Sequence, residues 1–565
     1  MHTLKQRPFV LAILVLATSL PLPLAAEDAA TPGDDTISRF EFSKEHLAAV
    51  GRHRRLMLHY DYSGHTMKTT PWGKQAIDQL DQIVDFYSQP YQTSSTQFMD
   101  SIIYELGEGP TVWPSEIAPR AKVVFPKWWK AGIDPLGTLI DIAKQHQKEV
   151  FLSYRLNGTD VEEDSEYGNW KLPAFKKEHP DWLLKAPWGI SLWNFSHQGV
   201  RDHKVAILRE VASMYDVAGL QIDLARSAIL FPAGEQWENC DHMTAFMRQL
   251  RTALQEVAAE RGRPVLIAVR IPENLVGCTF DGMDVATWVD QGLVDILITG
   301  CGASDVDVPA FRQLVQGTHV RIYPSWDRYH PNDGYRQPPI TYWRGMYSKW
   351  WELGAHGVHT FNLSPDSPIL AEIGDRQGML YRDKVFIIAR RTGSHGDKIT
   401  GNPNDWQTPR HQYFMTYMQA PLAAMADPDG KVDTLLNLMV TDHVKKERDR
   451  IETVTLRLLL SDLAAQELPD QQRIAATRMW TYHGHPEDNI PPLKGIEQRI
   501  EVRINNLLLP SSRIENGWLL FDVQPQQVAP GNNLIGIRVA AHPEEHHQEI
   551  RIEKVELAID YRDEA

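Results

Sequence analysis

Acidic, basic and amide side chains fall at one recurring place in this sequence, the end of a short apolar run. Asp61 follows Arg55–Tyr60, and Glu105 and Glu108 fall at and just past the end of Ser101–Leu106. Arg155 and Asn157 follow Glu149–Tyr154, and Asp223 and Arg226 fall at and just past the end of Gly219–Leu224. Arg270 with Glu273 and Asn274, Thr299, Trp326 with Asp327, and Asn362 end the remaining four runs. Carboxylates drawn together push their pKa values apart, which supplies a general acid and a nucleophile or base from one residue type. Asp223 is the sharpest candidate, because an Asp ending an apolar run must face a polar opening or suffer desolvation. Glu105, Asp61 and His197 complete the candidate catalytic set. His197 stands in a loop just before a helical stretch, where an imidazole serves as acid, base or ligand. Arg155, Asn157, Arg226, Arg270, Glu273, Trp326 and Asn362 are the candidate substrate contacts. Each has a structural alternative: a rim ion pair for the charged residues, a helix start for His197, a core position for any aromatic.

Eight apolar runs must position these groups: Arg55–Tyr60, Ser101–Leu106, Glu149–Tyr154, Gly219–Leu224, Pro264–Ile271, Val294–Thr299, Val320–Tyr323 and Gly357–Asn362. Near-continuous apolar runs are what strands buried on both faces of a parallel sheet require. Helical periodicities separate them, at Gln75–Tyr87, Val200–Tyr215, Met243–Glu260, Val285–Gly292 and Tyr342–Leu353. Strand–helix alternation repeated eight times predicts an α/β fold of the (β/α)₈ TIM barrel type, whose strand ends converge on one mouth. An open doubly wound sheet is the alternative, weakened because no Gly-rich phosphate loop follows the first strand. Ser364–Arg391 reads as helical and barrel-closing. From about Leu435, short alternating runs with turn residues between them predict an all-β sandwich. The expected organisation is a signal peptide over residues 1–26, a leader over 27–50, the barrel over 51–425 and the sandwich over 426–565.

The chain has 565 residues, 42% of them hydrophobic, enough for large cores and too many for a disordered protein. Its net charge of −15 opposes phosphate neutralisation, so nucleic acid is excluded as a partner. Lys5 and Arg7, the apolar run Phe9–Leu20 and the small residues to Ala26 form a secretory signal pattern. The run falls short of the ~20 residues a spanning helix needs. The expectation is therefore a secreted or periplasmic protein with no span in its mature part. Cys240, Cys278 and Cys301 allow one disulfide at most and match no zinc spacing. No His motif at a strand end predicts a metal, and no cofactor motif is present. Aromatics at the expected loops, Trp113, Trp188, Trp193, Trp326, Tyr329 and Tyr335, suit stacking on sugar rings.

Three blocks carry a family resemblance. Phe195–Asp202, then Tyr215–Asp223, then Trp288–Leu297 fall in order and resemble the helix-then-strand phrases of bacterial glycosyl-hydrolase-family-10-like barrel proteins. Ala218 stands where that family's phrase has an Asp, and Leu-Ala-Arg follows Asp223 in place of the family's tyrosine-bearing phrase. The resemblance implies a glycosidase-like barrel with Asp223 as the acid of the fourth strand. The expected function is hydrolysis of a glycosidic bond in a poly- or oligosaccharide by two carboxylates. An anionic sugar is attractive if Arg155, Arg226 and Arg270 converge. The alternatives are a non-catalytic carbohydrate-binding or surface-assembly protein on the same barrel and a polysaccharide lyase.

Overall fold

The computed structural model describes residues 39–60, 79–107, 109, 111–120, 125–157, 162–163, 170–172, 174–184, 192–225, 229–232, 234–300, 304–327, 335, 338–390, 420–462, 495–510, 513–540 and 550–562. Eight parallel strands close into a barrel: β1 Leu56–Tyr60, β2 Met99–Glu105, β3 Glu149–Arg155, β4 Gly219–Asp223, β5 Leu266–Ile271, β6 Ile296–Thr299, β7 Arg321–Asp327 and β8 Val358–Phe361. β8 pairs back onto β1, with Leu56 opposite Val358 and His59 opposite Phe361, so no edge is left unpaired. All eight lie within two residues of their expected starts. β7 runs on to Asp327, beyond the expected Tyr323.

Alternation along each strand divides the side chains between the two faces of the wall. The outward set, including Leu58, Ile102, Leu152, Leu220, Ile222, Val269, Leu297, Ile322 and Trp326, joins the helices in one large core. Helices Pro135–Gln145, Gln198–Met214, Cys240–Arg261 and Ile340–Glu352 cover that face. The Pro135–Gln145 helix has no counterpart in the sequence expectation. It starts where Asp134 accepts from the Leu136 N–H at 3.1 Å and Pro135 occupies the first turn. The inward set forms layers. Met57, Ile103, Phe151, Leu266, Ile296 and Tyr323 belong to a separate apolar cluster inside the barrel. Polar side chains stand above it: His59, Ser153, Gln221, Ser325 and His359 are all fully buried. Glu105, Arg155, Asp223, Arg270 and Asp327 then close the strands at the mouth.

Below the barrel, helix α1 (Lys44–Gly51) is capped by Ser43, whose hydroxyl accepts from the His46 N–H at 3.1 Å. This part of the expected leader is therefore ordered structure. Arg54 ties α1 to the floor, donating to Val50 O at 3.1 Å and Ala49 O at 2.8 Å and gripping Glu149 through two bonds of 2.6 and 2.8 Å.

The C-terminal part is two antiparallel sheets. One holds β9 (Lys384–Ile387), β10 (Ala424–Met425), β12 (Ile451–Asp462), β15 (Arg513–Glu515), β16 (Trp518–Asp522) and β18 (Ile550–Tyr561). The other holds β11 (Thr434–Val440), β13 (Ile500–Ile504), β14 (Leu507–Leu508) and β17 (Gly531–Val539). Leu436, Leu438, Leu456, Leu458, Val502, Ile535, Ile537, Val555 and Leu557 fill the space between them. The stretch expected as a closing helix is helical only over Ile369–Ile373. Lys384–Ile387 is instead a strand, paired antiparallel to β18. The change of sheet thus comes before residue 425. Gly345 lets the Ile340–Glu352 helix approach β9, since a Cβ there would stand 2.0 Å from Val385 O. Tyr342 Oη also donates to Glu556 across this junction at 2.7 Å.

Candidate active site

The mouth is built by strand register. Arg155 pairs with Asp223 and Asp223 with Arg270, so one charge-bearing row runs over β3 to β5, while Glu105 on β2 pairs with Ser153, two residues before Arg155. Across the barrel Asp327 pairs with Phe361. Asp223, 1% exposed, accepts from Arg270 Nη1 at 3.0 Å and from the Ala225 N–H at 3.0 Å. The Arg270 guanidinium also lies over the Phe361 ring, 4.7 Å from its centre. A guanidinium in this position complements negative charge on Asp223 and orients the carboxylate.

Glu105 is held from several sides. His59 Nε2 lies 2.9 Å from Oε2, the Ser153 hydroxyl donates to Oε2 at 3.1 Å, and the Gly107 N–H donates to Oε1 at 2.8 Å. Arg155 Nε stands 3.7 Å from Oε2. Gln221 Nε2 donates to Ser153 Oγ at 3.0 Å and lies 3.1 Å from His59 Nδ1. These contacts are mutually consistent when His59 donates through Nε2 to Glu105 and accepts from Gln221 through Nδ1. Glu105 is thus the hub of a network of fixed donors.

Asp327, fully buried, accepts from the Asn362 amide at 2.9 Å on Oδ1 and 3.1 Å on Oδ2. Asn362 reaches it from a left-handed backbone at φ 61°, which turns its amide back over the strand end. Glu273 is buried just beyond β5, with its Cβ beside Gly300 at the end of β6. Lower in the barrel, Ser325 Oγ and His359 Nδ1 share a hydrogen bond of 2.7 Å. His359 is held well below the usual imidazole range by burial, reinforced by the neighbouring His59 and the Arg270 cation.

The structure brings Glu105, Arg155, Asp223, Arg270 and Asn362 to the mouth. It places three other candidates elsewhere. Asn157 donates to the carbonyls of Trp193 at 2.9 Å and of Ile229, and accepts from the Trp193 N–H at 2.9 Å. Its amide is occupied in clamping two loops, so it is a structural residue and no substrate contact. Trp326 points outward and meets Trp343 edge to face at 4.6 Å, because Ser325 and Asp327 take the inward positions of β7. His197 precedes the first turn of the Gln198–Met214 helix and lies over Trp182 with ring centres 6.4 Å apart. The expected stacking aromatics follow Trp326: Trp113 Nε1 donates to Glu210, Trp193 lies under Lys176, and Tyr335 lies under Lys554. Asp61, Glu108, Trp188, Arg226, Tyr329 and Cys301 lie outside the described residues. Cys240 is a buried free thiol, and Cys278 is buried as well.

His59, Gln221 and His359 join the site although the sequence reading singled out none of them, and Asp327, named there only as a strand end, joins it too. The signal was there. Each places a polar side chain at the inward alternation of an apolar strand, as Gln221 precedes Asp223 and Ser325 precedes Asp327 by two residues.

No protein-family model and no curated protein matches the chain. Solved structures resemble its fold. Alpha-L-fucosidase isoenzyme 2 from Paenibacillus thiaminolyticus is 13% identical at a TM-score of 0.35, over 58% of this chain and 49% of that one. The chain thus spans about half the length of that enzyme. The PgaB (BpsB) glycoside hydrolase domain from Bordetella bronchiseptica is 10% identical at a TM-score of 0.37, over 57% of this chain and 99% of that one. The GH36 alpha-galactosidase AgaB from Geobacillus stearothermophilus is 10% identical at a TM-score of 0.31, over 90% of this chain and 56% of that one. The barrel itself is read from the closed sheet of eight parallel strands. No helix among the described residues is long and apolar enough to cross a membrane.

Proposed function

We propose that the chain hydrolyses a glycosidic bond at the barrel mouth, with Asp223 and Asp327 as its two working carboxylates. The supporting observation is their placement: both are inward-facing ends of strands, on β4 and β7, facing one mouth. Asp223, paired with a guanidinium, suits the nucleophile or water-activating base, which acts as an anion. Asp327, held by a neutral amide, takes the general-acid role. Glu105, which gathers His59, Ser153 and the Gly107 N–H around it, becomes a positioning residue. The separation of the two carboxylates decides between retention and inversion of configuration.

The described strand ends carry four carboxylates, Glu105, Asp223, Glu273 and Asp327, against two guanidiniums, Arg155 and Arg270. This balance favours a neutral sugar over an anionic one. The reading includes export through the segment ending at Ala26, tested by N-terminal sequencing of the exported protein, which should begin at Glu27. The deciding test is reducing-end release from neutral and acidic glycans by wild type, Asp223→Asn and Asp327→Asn. Turnover by the wild type and loss in both variants supports the reading. Turnover surviving in both moves the chemistry away from these carboxylates. Release of unsaturated, ultraviolet-absorbing products makes it a lyase.

A second reading, a binding protein without turnover, is favoured by one observation. Asp223 with Arg270, and Glu105 with His59, are closed pairs whose side chains are 0% exposed. Glycan binding without product in the same panel selects it.

A further inference from the structure

At the opposite end of the barrel, three segments far apart in sequence bring two imidazoles onto one carboxylate oxygen. His46 Nε2 on α1 lies 2.8 Å from Asp295 Oδ1, and His319 Nε2 lies 3.1 Å from the same atom. Asp295 immediately precedes β6 and His319 shortly precedes β7, so both stand at the floor. The three ligand atoms lie within 4.8 Å of one another, the one such group of His, Cys, Asp and Glu among the described residues. We propose that His46, Asp295 and His319 bind a divalent transition-metal ion, zinc the best fit, that fastens α1 to the barrel floor.

Geometry, orientation and donor type support this independently of the mouth. Ligands ~2.0–2.1 Å from a tetrahedral zinc stand about 3.3 Å from one another, close to the two nitrogen–oxygen distances here. The carboxylate is pre-aimed: its other oxygen, Oδ2, accepts from Arg251 Nη1 at 3.0 Å and from the Ile267 N–H at 2.7 Å, leaving Oδ1 to the imidazoles. Fixed outer partners of this kind set a ligand's direction before an ion arrives. Both rings are fixed as well. Phe42 stacks on His46 at 4.3 Å and tilts against His319 at 4.6 Å. Two imidazoles and a carboxylate suit zinc, and leave a fourth position for water. Each imidazole side chain is 9% exposed, so the group opens narrowly to solvent. Arg251 sets a limit: its charge shares the carboxylate and lowers affinity below that of an unshared set.

Without metal, the same distances describe one carboxylate accepting two imidazole N–H bonds, and the experiment separates the two. Full-length protein is stripped with chelator and titrated with Zn²⁺, then with Co²⁺ read by visible absorption. The expected result is one equivalent bound, a Co²⁺ spectrum of nitrogen and oxygen ligation, and a rise in melting temperature with Zn²⁺. His319→Gln and His46→Gln should each weaken binding by at least ~100-fold, more than the ~10–100-fold of an outer partner, and abolish the rise. The Co²⁺ spectrum needs no variant, so a poorly folding substitution leaves the test intact. The proposal is overturned by no stoichiometric binding in the wild type, or by binding undiminished in both folded variants.

Discussion

The barrel and the sandwich fill their interiors in opposite ways. Between the two sheets the side chains are aliphatic, with Leu436, Leu438, Leu456, Leu458, Ile535 and Ile537 all buried. Inside the barrel, the layer above the apolar floor is His59, Ser153, Gln221, Ser325 and His359. A barrel of this size is ordinarily filled by branched aliphatics. Every polar group in that layer needs a partner, and two atoms, His359 Nε2 and Gln221 Oε1, have none among the described residues. An unpartnered buried polar atom costs ~1–3 kcal/mol, a burden that the aliphatic side chains named between the sheets do not carry. The difference teaches that the sandwich is arranged for packing, while the barrel interior holds side chains in place beneath a mouth. β18 shows both rules in one strand. Val555, Leu557 and Ile559 enter the sandwich core, while Lys554 and Glu556 face the barrel, where they meet Tyr335 and Tyr342.

The largest effect should come from the mouth. Asp223→Asn keeps the shape and removes the charge that Arg270 faces. On the proposed mechanism kcat falls by at least ~1,000-fold, about 4 kcal/mol of transition-state stabilisation. Steady-state turnover on the best glycan, with circular dichroism as a folding control, reads this. A fall under tenfold would remove Asp223 from the chemistry. In the sandwich the expectation reverses. Leu458→Ala opens a cavity in an aliphatic core and should lower stability by ~2–5 kcal/mol while leaving kcat unchanged. A loss of kcat in a folded Leu458→Ala protein would show that the two interiors are not separable in this way.

A smaller effect tests the polar layer itself. Ser325→Ala removes the 2.7 Å bond to His359 and should lower stability by ~1–3 kcal/mol. Adding His359→Phe removes the stranded imidazole, so the double variant should recover part of that loss. Strictly additive losses in urea unfolding would mean that the pair is not coupled.

How much of this was legible depends on alternation. The eight barrel strands read clearly because burial on both faces leaves apolar runs that no surface strand shows. The faces at their ends read less well, since a one-residue step moves a side chain across the wall. Trp326 and Asp327 are neighbours, yet one packs on Trp343 and the other faces the mouth. Asn157 follows a strand as a site residue would, but its amide meets backbone from Trp193 and Ile229, which only the folded loops reveal. The strand Lys384–Ile387 was hidden because its partner, β18, lies at the far end of the chain. The His46–Asp295–His319 group has no motif at all, since its members are 249 and 24 residues apart.

The smallest expected effect is a slope. His359 is fully buried, beside His59 and the Arg270 cation, so its folded-state pKa lies well below the ordinary 6.5. In the unfolded chain it titrates near that ordinary value. Below about pH 6.5 the unfolded state therefore binds more protons than the folded state, and stability must fall as pH falls through this window. One such group contributes a slope of at most ~1.4 kcal/mol per pH unit, continuing down to the folded-state pKa. Above about pH 7.5 it is neutral in both states and contributes nothing. His359→Gln keeps a polar side chain without the titration, so its slope below about pH 6.5 should be shallower than that of the wild type. Urea midpoints from about pH 5 to about pH 8 measure both regions at once. Equal slopes in the two proteins on the acid side would mean that His359 takes up its proton in the folded barrel, and that the layer beneath the mouth is more open to water than the sandwich core.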